Sequence, residues 1–230
     1  MSSPSSPAPA RPARGRPARL DRARTLQTAL DLLDQSGLDA LTMRRLADAM
    51  DVQAGALYRY FATKQDLLTA MAERMMEGVT EAAATDGGDW SERLTALARA
   101  ERDALLAHRD GARVFAGTHA TGASVLGFAD AFVGVLREAG FADDAAARAL
   151  YTVVNYTVGH TLEEQAALQP GEGSAEGAGA LRNAVTAGTY PHLSATLPTL
   201  ASTDFTGLFE FGLDLLIEGL RTRHAPPTGK

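Results

Sequence analysis

The stretch LTMRRLADAMDVQAGALYRYFATKQDLL, residues 41–68, decides the fold of this chain. Thr42 is a good N-cap for a short helix over 43–50, because its hydroxyl can accept a hydrogen bond from a free backbone N–H of the first turn. A tight connection at Asp51 then leads to a second short helix over 53–60. Two short helices joined by a tight turn have helix-turn-helix proportions, which place the second helix in the major groove of DNA.

The helix over 53–60 carries the side chains that a DNA-binding surface requires. Leu57 and Phe61 have the spacing of core positions, so the other residues can face the groove and its walls. Small residues let the helix approach base edges, an arginine can bind guanine through two hydrogen bonds, and tyrosines and a lysine can reach phosphates. These candidates are Gln53, Ala54, Gly55, Ala56, Tyr58, Arg59, Tyr60 and Lys64. The alternative is that Tyr58 and Tyr60 fill the seam with the first helix.

The charge of the chain is divided unevenly along its 230 residues, although the net charge is −6. Residues 1–64 contain ten Arg or Lys and six Asp, so they carry +4. The remainder, with 12 basic and 22 acidic residues, carries −10. A basic head on an acidic body is typical of a protein that binds phosphates through one part only. Chance clustering of charge is the alternative.

Residues 1–19 are rich in Pro, Ser, Ala and Arg and lack apolar periodicity, so we expect them to be disordered. The tetrapeptide 14–17, Arg-Gly-Arg-Pro, resembles the core of an AT-hook, which inserts arginines into narrow A·T minor grooves. The alternative is a generic basic tail that adds affinity through counterion release. Both interpretations predict that deletion of 1–19 weakens DNA binding and flattens its salt dependence.

The rest of the chain shows apolar residues at helical spacing and no alternating strand pattern, so the fold class is all-α. The first helix begins near residue 20 or 21, and Thr63 is the expected N-cap of another helix. The glycine-rich stretch 170–180 is expected to be a mobile loop, and 191–198 a connection. The later helices are expected at 64–84, 90–107, 111–116, 122–139, 143–168 and 204–222.

Composition and motifs argue against several classes of protein. The chain has no cysteine, so disulfides and thiolate metal sites are impossible. No run approaches the roughly 18 apolar residues of a membrane span, and the N-terminus lacks the apolar core of a signal peptide, so we expect a cytoplasmic protein without a membrane partner. The alternative is a helical enzyme that uses histidines and carboxylates, namely His108, His119, His160, Glu163 and Glu164. No nucleophile pattern, phosphate loop or dinucleotide fingerprint accompanies these residues, so we expect no catalytic residue, no metal and no cofactor.

Residues 41–68 resemble the DNA-binding domain of the TetR family of transcriptional repressors, and the resemblance covers about residues 22–70. The family signature is a Thr-opened helix, a turn, and a third helix that ends in Tyr-x-(His/Tyr)-Phe before a Lys. The resemblance implies that Thr42 and Arg44 hold backbone phosphates and that Tyr58, Tyr60 and Lys64 clamp phosphates. It also implies that base edges are faced by Ala54, Gly55, Ala56 and Arg59.

Three later segments are similar to the ligand-binding domain of the tetracycline-repressor subfamily. They are LLAHRDGARVFAGTHAT (105–121), YTVGHTLEEQ (156–165) and FEFGLDLLIEGL (209–220). That subfamily binds a magnesium–tetracycline chelate in a helical tunnel and dimerises through a four-helix bundle. The resemblance implies that Thr118 lies beside the ligand and that Glu163 lies at an acidic position that holds metal-bound water.

The chain departs from the subfamily at the metal. Phe115 stands where an imidazole ligates Mg²⁺, His119 stands where an arginine contacts the drug, and Asn155 replaces a drug-contacting histidine. A phenyl ring has no lone pair for Mg²⁺, so we expect an unknown small-molecule effector other than magnesium–tetracycline. The expected walls and anchors are Phe115, Phe128, Phe132, Val135, His119, Asn155 and Glu163. The alternatives are a solvent-facing loop for His119, a surface carboxylate or an interface ion pair for Glu163, and plain core for the Phe128–Phe132 stripe.

The two longest late helices, 143–168 and 204–222, are apolar around more than one face, so each needs a second partner. Two such helices from each of two copies form a homodimer, whose heads lie about 34 Å apart and prefer a palindromic operator. The expected parts are an arm (1–19), a helix-turn-helix head (20–66), a ligand-binding and dimerisation domain (67–224) and a disordered tail (225–230). We therefore predict a dimeric ligand-responsive repressor that binds double-stranded DNA. The alternative is a DNA-binding regulator without an inducer.

Overall fold

The structure is a computed structural model that describes residues 21–84, 87–168 and 175–224. Residues 175 and 176 are described by their backbone only. Every regular element in these ranges is a helix, which confirms the all-α fold class. The expected arm 1–19, its Arg-Gly-Arg-Pro tetrapeptide and the expected tail 225–230 lie outside the described residues. In chain order the helices are α1 Arg22–Ser36, α2 Met43–Ala49, α3 Ala54–Leu57, α4 Lys64–Met75, α5 Val79–Ala82, α6 Trp90–Leu106, α7 Gly111–Ala116, α8 Ala123–Glu138, α9 Asp143–Leu168, α10 Ala175–Ala187, α11 Pro191–Leu200 and α12 Phe205–His224.

Side-chain caps fix where several helices begin. The Thr42 hydroxyl accepts a hydrogen bond from the Arg45 N–H, which confirms the predicted cap of α2. Thr63 and Asp66 form a reciprocal capping box at the start of α4, where the cap was also predicted. Each such cap contributes about 1 kcal/mol to stability. The sequence therefore determines the residues at which α2 and α4 begin.

Three predicted boundaries are wrong. The helix expected over 64–84 is interrupted at Gly78, whose φ of 77° ends α4 and lets α5 begin in a new direction. The helix expected over 53–60 keeps regular α-geometry only in α3, because the chain tightens after Leu57 to bury Phe61. Residues 175–180, expected to be part of a mobile loop, begin α10, where alanines of high helix propensity alternate with the glycines.

The connection expected at 191–198 is also helical. Pro191 occupies the first turn of α11, where its missing N–H leaves no hydrogen bond unmade. No side chain of α11 is buried in the protomer, and Tyr190 and Leu193 are exposed beside it. The apolar side chains of this helix are therefore not part of the core of the head or of the core of the body.

The head has a core of its own, formed by α1 to α4. Leu33, Leu46, Leu57 and Leu67 are completely buried in it, and Phe61 is 1% exposed. Burial of each such side chain contributes about 1.5–3 kcal/mol. The head is therefore a rigid unit that presents its remaining side chains in fixed positions.

The body has a second core, in which α6, α8, α9 and α12 pack around one another. Its centre is made by Phe132, Leu136 and Phe209, all completely buried. Phe115, near the end of α7, packs against both the head core and the body core. The helix α7 is therefore the element through which the two cores meet.

Candidate DNA-binding and effector sites

The surface after the turn at Asp51 is built by burying one side of α3 and exposing the other. Leu57 and Phe61 point into the head core, whereas Tyr58 and Tyr60 are 50% and 42% exposed. Tyrosines exposed to this extent do not fill the seam with α1. The Arg22 guanidinium lies 5.5 Å from the centre of the Phe61 ring and anchors the start of α1 against this turn.

The other predicted DNA-binding residues are exposed or half-buried on the head. Gly55 is exposed, and a Cβ built there meets no atom within 4 Å, so the fold does not require glycine at this position. The Lys64 ammonium donates a hydrogen bond to the Leu38 carbonyl (3.3 Å), which holds its side chain beside the head. Exposed side chains complete the surface: Thr42, Arg44, Gln53 and Arg59, with Ala54 and Ala56 half-buried.

The head is joined to the body at both ends of α7. At its start, the Asp110 carboxylate accepts a hydrogen bond from the Leu38 N–H (2.8 Å). At its end, the Gln65 side chain donates to the Gly117 carbonyl (2.8 Å). A movement of α7 therefore moves the loop that follows α1 and the first turn of α4 together.

A second set of contacts supports this junction on the side of α1. The Asp34 carboxylate accepts from the Arg109 N–H (2.9 Å) and lies 3.1 Å from Nδ1 of His108. The Arg113 guanidinium lies 3.1 Å from Asp39, and this partner lowers the pKa of the exposed Asp39 carboxyl. Acidic side chains of the basic head thus bind basic groups of the acidic body.

The predicted effector walls are buried, whereas the predicted polar anchors are not. Phe128, Phe132 and Val135 belong to the body core, and the two phenyl rings lie 6.4 Å apart. Phe115 and Thr118 are half-buried, and the Thr118 hydroxyl donates to the Phe115 carbonyl (2.9 Å). The structure places the three anchors His119, Asn155 and Glu163 on the surface of the protomer. It therefore brings the walls together and leaves the anchors away from them.

A buried ion pair that the sequence did not reveal joins α6 to α9. The Arg102 guanidinium donates to both Glu164 oxygens at 2.8–3.1 Å, and both side chains are at most 9% exposed. Arg102 also donates to the Thr206 hydroxyl (3.1 Å) and lies 5.1 Å from the Phe209 ring centre. Glu164 rather than the neighbouring Glu163 is thus the carboxylate that faces the core.

Glu101 is a second polar residue inside the same body. It occupies the apolar stripe of α6 with Leu94, Leu97 and Leu105, and that break in an apolar pattern was the signal available in the sequence. Burial raises the pKa of the Glu101 carboxyl well above its ordinary value. Burial also lowers the pKa of His160 on α9, so its imidazole is held neutral.

An open cavity of about 640 Å³ lies at the junction between α1 and α6. Gln27 and Leu30 line it from the head, and Ala100, Asp103 and His108 line it from the body. None of the predicted effector residues lines this cavity. Within the part of the chain that the structure describes, no three His, Asp or Glu side chains converge as metal ligands, and no helix is long and apolar enough to cross a membrane.

Known proteins share both parts of this architecture. Residues 26–71 match the sequence model of bacterial regulatory proteins of the tetR family, and residues 82–224 match that of the tetracyclin repressor-like C-terminal domain. Tetracycline repressor protein class A from transposon 1721 of Escherichia coli is 41% identical over 200 residues, which span 86% of this chain and 89% of the relative. Both resemblances inferred from the sequence are thereby confirmed.

Solved structures agree with the fold. A possible TetR family transcriptional regulator from Streptomyces coelicolor A3(2) is 74% identical with a TM-score of 0.84, over 89% of this chain and 100% of that one. A TetR variant from Acinetobacter baumannii AYE in complex with minocycline is 33% identical with a TM-score of 0.73, over 92% and 98% of the two chains.

BioQ, solved with its natural double-stranded DNA operator, is 30% identical with a TM-score of 0.63, over 89% of this chain and 99% of that one. In this chain a three-helix head with an exposed α3 is joined to a helical body through α7. The sequence matches cover the head and the body separately and in the same order. The chain belongs to the TetR family of bacterial transcriptional regulators, with an N-terminal helix-turn-helix DNA-binding domain and a tetracycline-repressor-like C-terminal domain.

Proposed function

We propose that this protein is a dimeric repressor that binds a palindromic operator and leaves it when a small organic effector binds the body. The observation that carries the proposal is the attachment of α7 to the head at both ends, through Leu38 and Gln65. Phe115, a candidate effector wall, lies on this same helix and packs against both cores. An effector that displaces Phe115 therefore displaces the head.

The head binds DNA with its exposed face. Arg59 and the small residues 54–56 face base edges in the major groove, where an arginine recognises guanine through two hydrogen bonds worth about 1–3 kcal/mol of discrimination. Tyr58, Tyr60 and Lys64 bind phosphates on one side of the groove, and Thr42 and Arg44 bind them on the other. Such phosphate contacts position the head, whereas the contacts of α3 read the sequence.

A second copy of the chain covers the outer faces of α9 and α12. Tyr151 on α9 is 69% exposed in the protomer, and Phe211 and Leu215 on α12 are 67% and 59% exposed. Large apolar side chains exposed together on two adjacent helices mark an interaction surface. A twofold axis through this surface presents the same face of both copies and places the two heads about one DNA turn apart, roughly 34 Å.

The effector is not a magnesium–tetracycline chelate. Phe115 stands where the subfamily has its imidazole ligand, and a phenyl ring offers no lone pair to Mg²⁺. Phe128, Phe132 and Val135 suit a flat, largely apolar molecule. We propose His119, Asn155 and Glu163 as polar contacts made when the second copy closes over the surface that bears them.

The repression switch requires a modest coupling free energy. An effector that lowers operator affinity by a factor of 100 supplies about 2.7 kcal/mol of preference for the released arrangement. The junction around α7 holds enough contacts to transmit this amount, because each hydrogen bond contributes about 1 kcal/mol. We place the protein in the cytoplasm, where its operator lies.

Two binding experiments test the proposal. Fluorescence anisotropy with the DNA upstream of the gene is expected to show tight, salt-dependent binding of one dimer to one palindrome. Double replacement of Tyr60 and Lys64 by Ala is expected to weaken this binding uniformly for all sequences. Calorimetric titration with tetracycline and Mg²⁺ is expected to show no binding at micromolar concentration. Tight Mg²⁺-dependent binding would refute the assignment of the effector class, and operator binding untouched by the double replacement would refute the DNA-binding face.

A further inference from the structure

Buried polar side chains lie on both α6 and α9, two helices that pack against each other. Thr157 and Thr161 are completely buried on α9, and Glu101 is completely buried on α6. The two helices are joined by the ion pair of Arg102, the residue after Glu101, with Glu164, which lies about one turn beyond Thr161 on α9. A seam of this kind is costly in a helical core, because every buried polar group must find a partner.

Glu101 has no partner in this seam. Both of its carboxylate oxygens are buried and make no hydrogen bond within the described residues, and the same holds for the Thr157 hydroxyl and for Nδ1 of His160. Each buried unpartnered polar group costs about 1–3 kcal/mol, and a charged one costs more. A leucine at position 101 would complete the apolar stripe of α6 at no such cost. The fold therefore gives no reason for a glutamate here.

The charged groups around Glu101 are already neutralised by one another. Arg102 is bound by both oxygens of Glu164, and Arg99 on the next turn of α6 is bound by Glu210 of α12 at 2.6 Å. Burial lowers the pKa of the His160 imidazole and so favours its neutral form. The facing side chains of α8, which include Phe128 and Phe132, are apolar. An ionised Glu101 would therefore be the one uncompensated charge among these groups.

We propose that Glu101 is the recognition residue for the effector and that the effector is an organic cation whose protonated amine binds the Glu101 carboxylate. This inference rests on the ligand-responsive function proposed above and names the chemical class of its ligand. Charge-assisted hydrogen bonds are about twice as strong as neutral ones and are strongest where water is excluded.

The complete burial of Glu101 couples ligand binding to movement. A ligand reaches the carboxylate only when side chains between α6, α8 and α9 separate. The helix α7 packs on both α6 and α9, and Gln165 of α9 accepts a hydrogen bond from the Ala112 N–H at its first turn (3.0 Å). Separation of the seam therefore displaces α7, which is attached to the head at Leu38 and Gln65.

Three probes of one shape and different charge test the inference: 1-naphthylmethylamine, 1-naphthylmethanol and 1-naphthoate. Binding to the full chain is measured by calorimetric titration, with Glu101→Gln and, as the matched control, Asp130→Asn, which removes one exposed carboxylate from α8. We expect the wild type to bind the amine about tenfold or more tightly than the alcohol. Glu101→Gln is expected to abolish this preference, and Asp130→Asn is expected to retain it.

A second measurement uses only the wild type, so it tests the inference even if the Glu101→Gln variant does not fold. Burial raises the pKa of the Glu101 carboxyl, so binding of the amine, which favours the ionised carboxylate, is expected to release protons. The heat of binding then differs between phosphate and Tris buffers, whereas the heat for the alcohol does not.

The inference is overturned by any of three results. The wild type could bind the amine and the alcohol equally well, Glu101→Gln could bind the amine as tightly as the wild type, or no probe could bind at all. The proposed function is judged separately by operator binding of the ligand-free protein. Release of the operator by the alcohol or by naphthoate, without dependence on Glu101, would leave that function standing and remove only the cationic class.

Discussion

Gly55 has no neighbour within the protomer that requires a glycine. Replacement by alanine in a helix removes backbone entropy from the unfolded chain, so we expect Gly55→Ala to raise the free energy of unfolding by about 0.5–1 kcal/mol. The added methyl group occupies the space that a base edge needs, so operator affinity is expected to fall about tenfold. Urea denaturation and fluorescence anisotropy measure the two effects on the same preparation.

Gly127 on α8 provides the control, because it too has open space around its Cβ position and lies on the body. Gly127→Ala is expected to give a similar gain in stability and no change in operator affinity. If Gly55→Ala bound the operator as tightly as the wild type, α3 would not approach the bases as closely as we propose.

Glu101 makes a measurable contribution to the pH dependence of stability. Its pKa is raised in the folded protein, so the folded state holds a proton that the unfolded state loses above about pH 4.5. The contribution is therefore complete below this pH and is lost as the pH rises toward the folded pKa, at about 1.4 kcal/mol per pH unit. Glu101→Gln is expected to remove this slope, and denaturant titrations at several pH values compare the two proteins. Parallel pH profiles would show that Glu101 is already ionised in the folded state.

The sequence predicted which side chains of α3 are exposed more directly than which side chains of α9 are buried. The exposure of Tyr58 and Tyr60 follows from helical spacing around Leu57 and Phe61, which is local information. The burial of Glu164 rather than Glu163 depends on how α9 rotates against α6, and this is decided by tertiary packing. Periodicity on one helix cannot determine that rotation.

Among the helices, α7 joins the body to the head. The paired replacement Asp34→Ala and Gln65→Ala removes one hydrogen bond to Arg109 and one to Gly117, each worth about 1 kcal/mol. We expect the head to unfold several degrees below the body, because 1 kcal/mol shifts the melting temperature of a small domain by about 4–8 °C. Differential scanning calorimetry would resolve the two transitions.

Gln27→Ala serves as the reference for this pair, since it removes only a surface bond to Asp31 within α1. It is expected to leave a single transition near that of the wild type. A single unshifted transition in the paired variant would mean that the packing of Phe115 and the remaining Asp110–Leu38 and Arg113–Asp39 contacts suffice to join the two parts. Operator affinity without effector is expected to be unchanged in both variants.

Helix boundaries were predictable where a side chain caps the end and unpredictable where backbone conformation decides it. Thr42 and Thr63 cap α2 and α4 through local hydrogen bonds. The break at Gly78 depends on a left-handed conformation that glycine permits but does not impose. In 175–180, alanines favour the helical conformation and glycines disfavour it. These opposing helix propensities nearly balance, so the sequence alone does not decide the conformation of this segment.

The complete protein combines a basic head with an acidic body. In the dimer that we propose, this division of charge determines which part of each copy approaches the DNA. The body carries −10 of charge and is repelled by DNA, so only the head approaches the duplex. Two weakly binding heads become a tight binder only when the bodies hold them together, because the second head then binds at a high effective concentration. In the dimer that we propose, tight operator binding therefore requires both copies.

Phe211→Arg tests this dependence, because the residue is 67% exposed on the apolar face of α12. A charge on each copy at a self-complementary interface is buried and repelled, so we expect a monomer by light scattering, with the helical content retained. Operator affinity is expected to fall at least 100-fold, since the avidity of two linked heads is lost.

Leu126→Arg introduces the same side chain at a 54% exposed position on α8, outside the proposed interface, and should leave both the dimer and its operator affinity intact. The monomeric variant should also bind a half-site and a full palindrome equally well, because a single head recognises only one half. A Phe211→Arg protein that remained dimeric would place the interface elsewhere. A monomer that still preferred the full palindrome would mean that the DNA itself assembles the two copies.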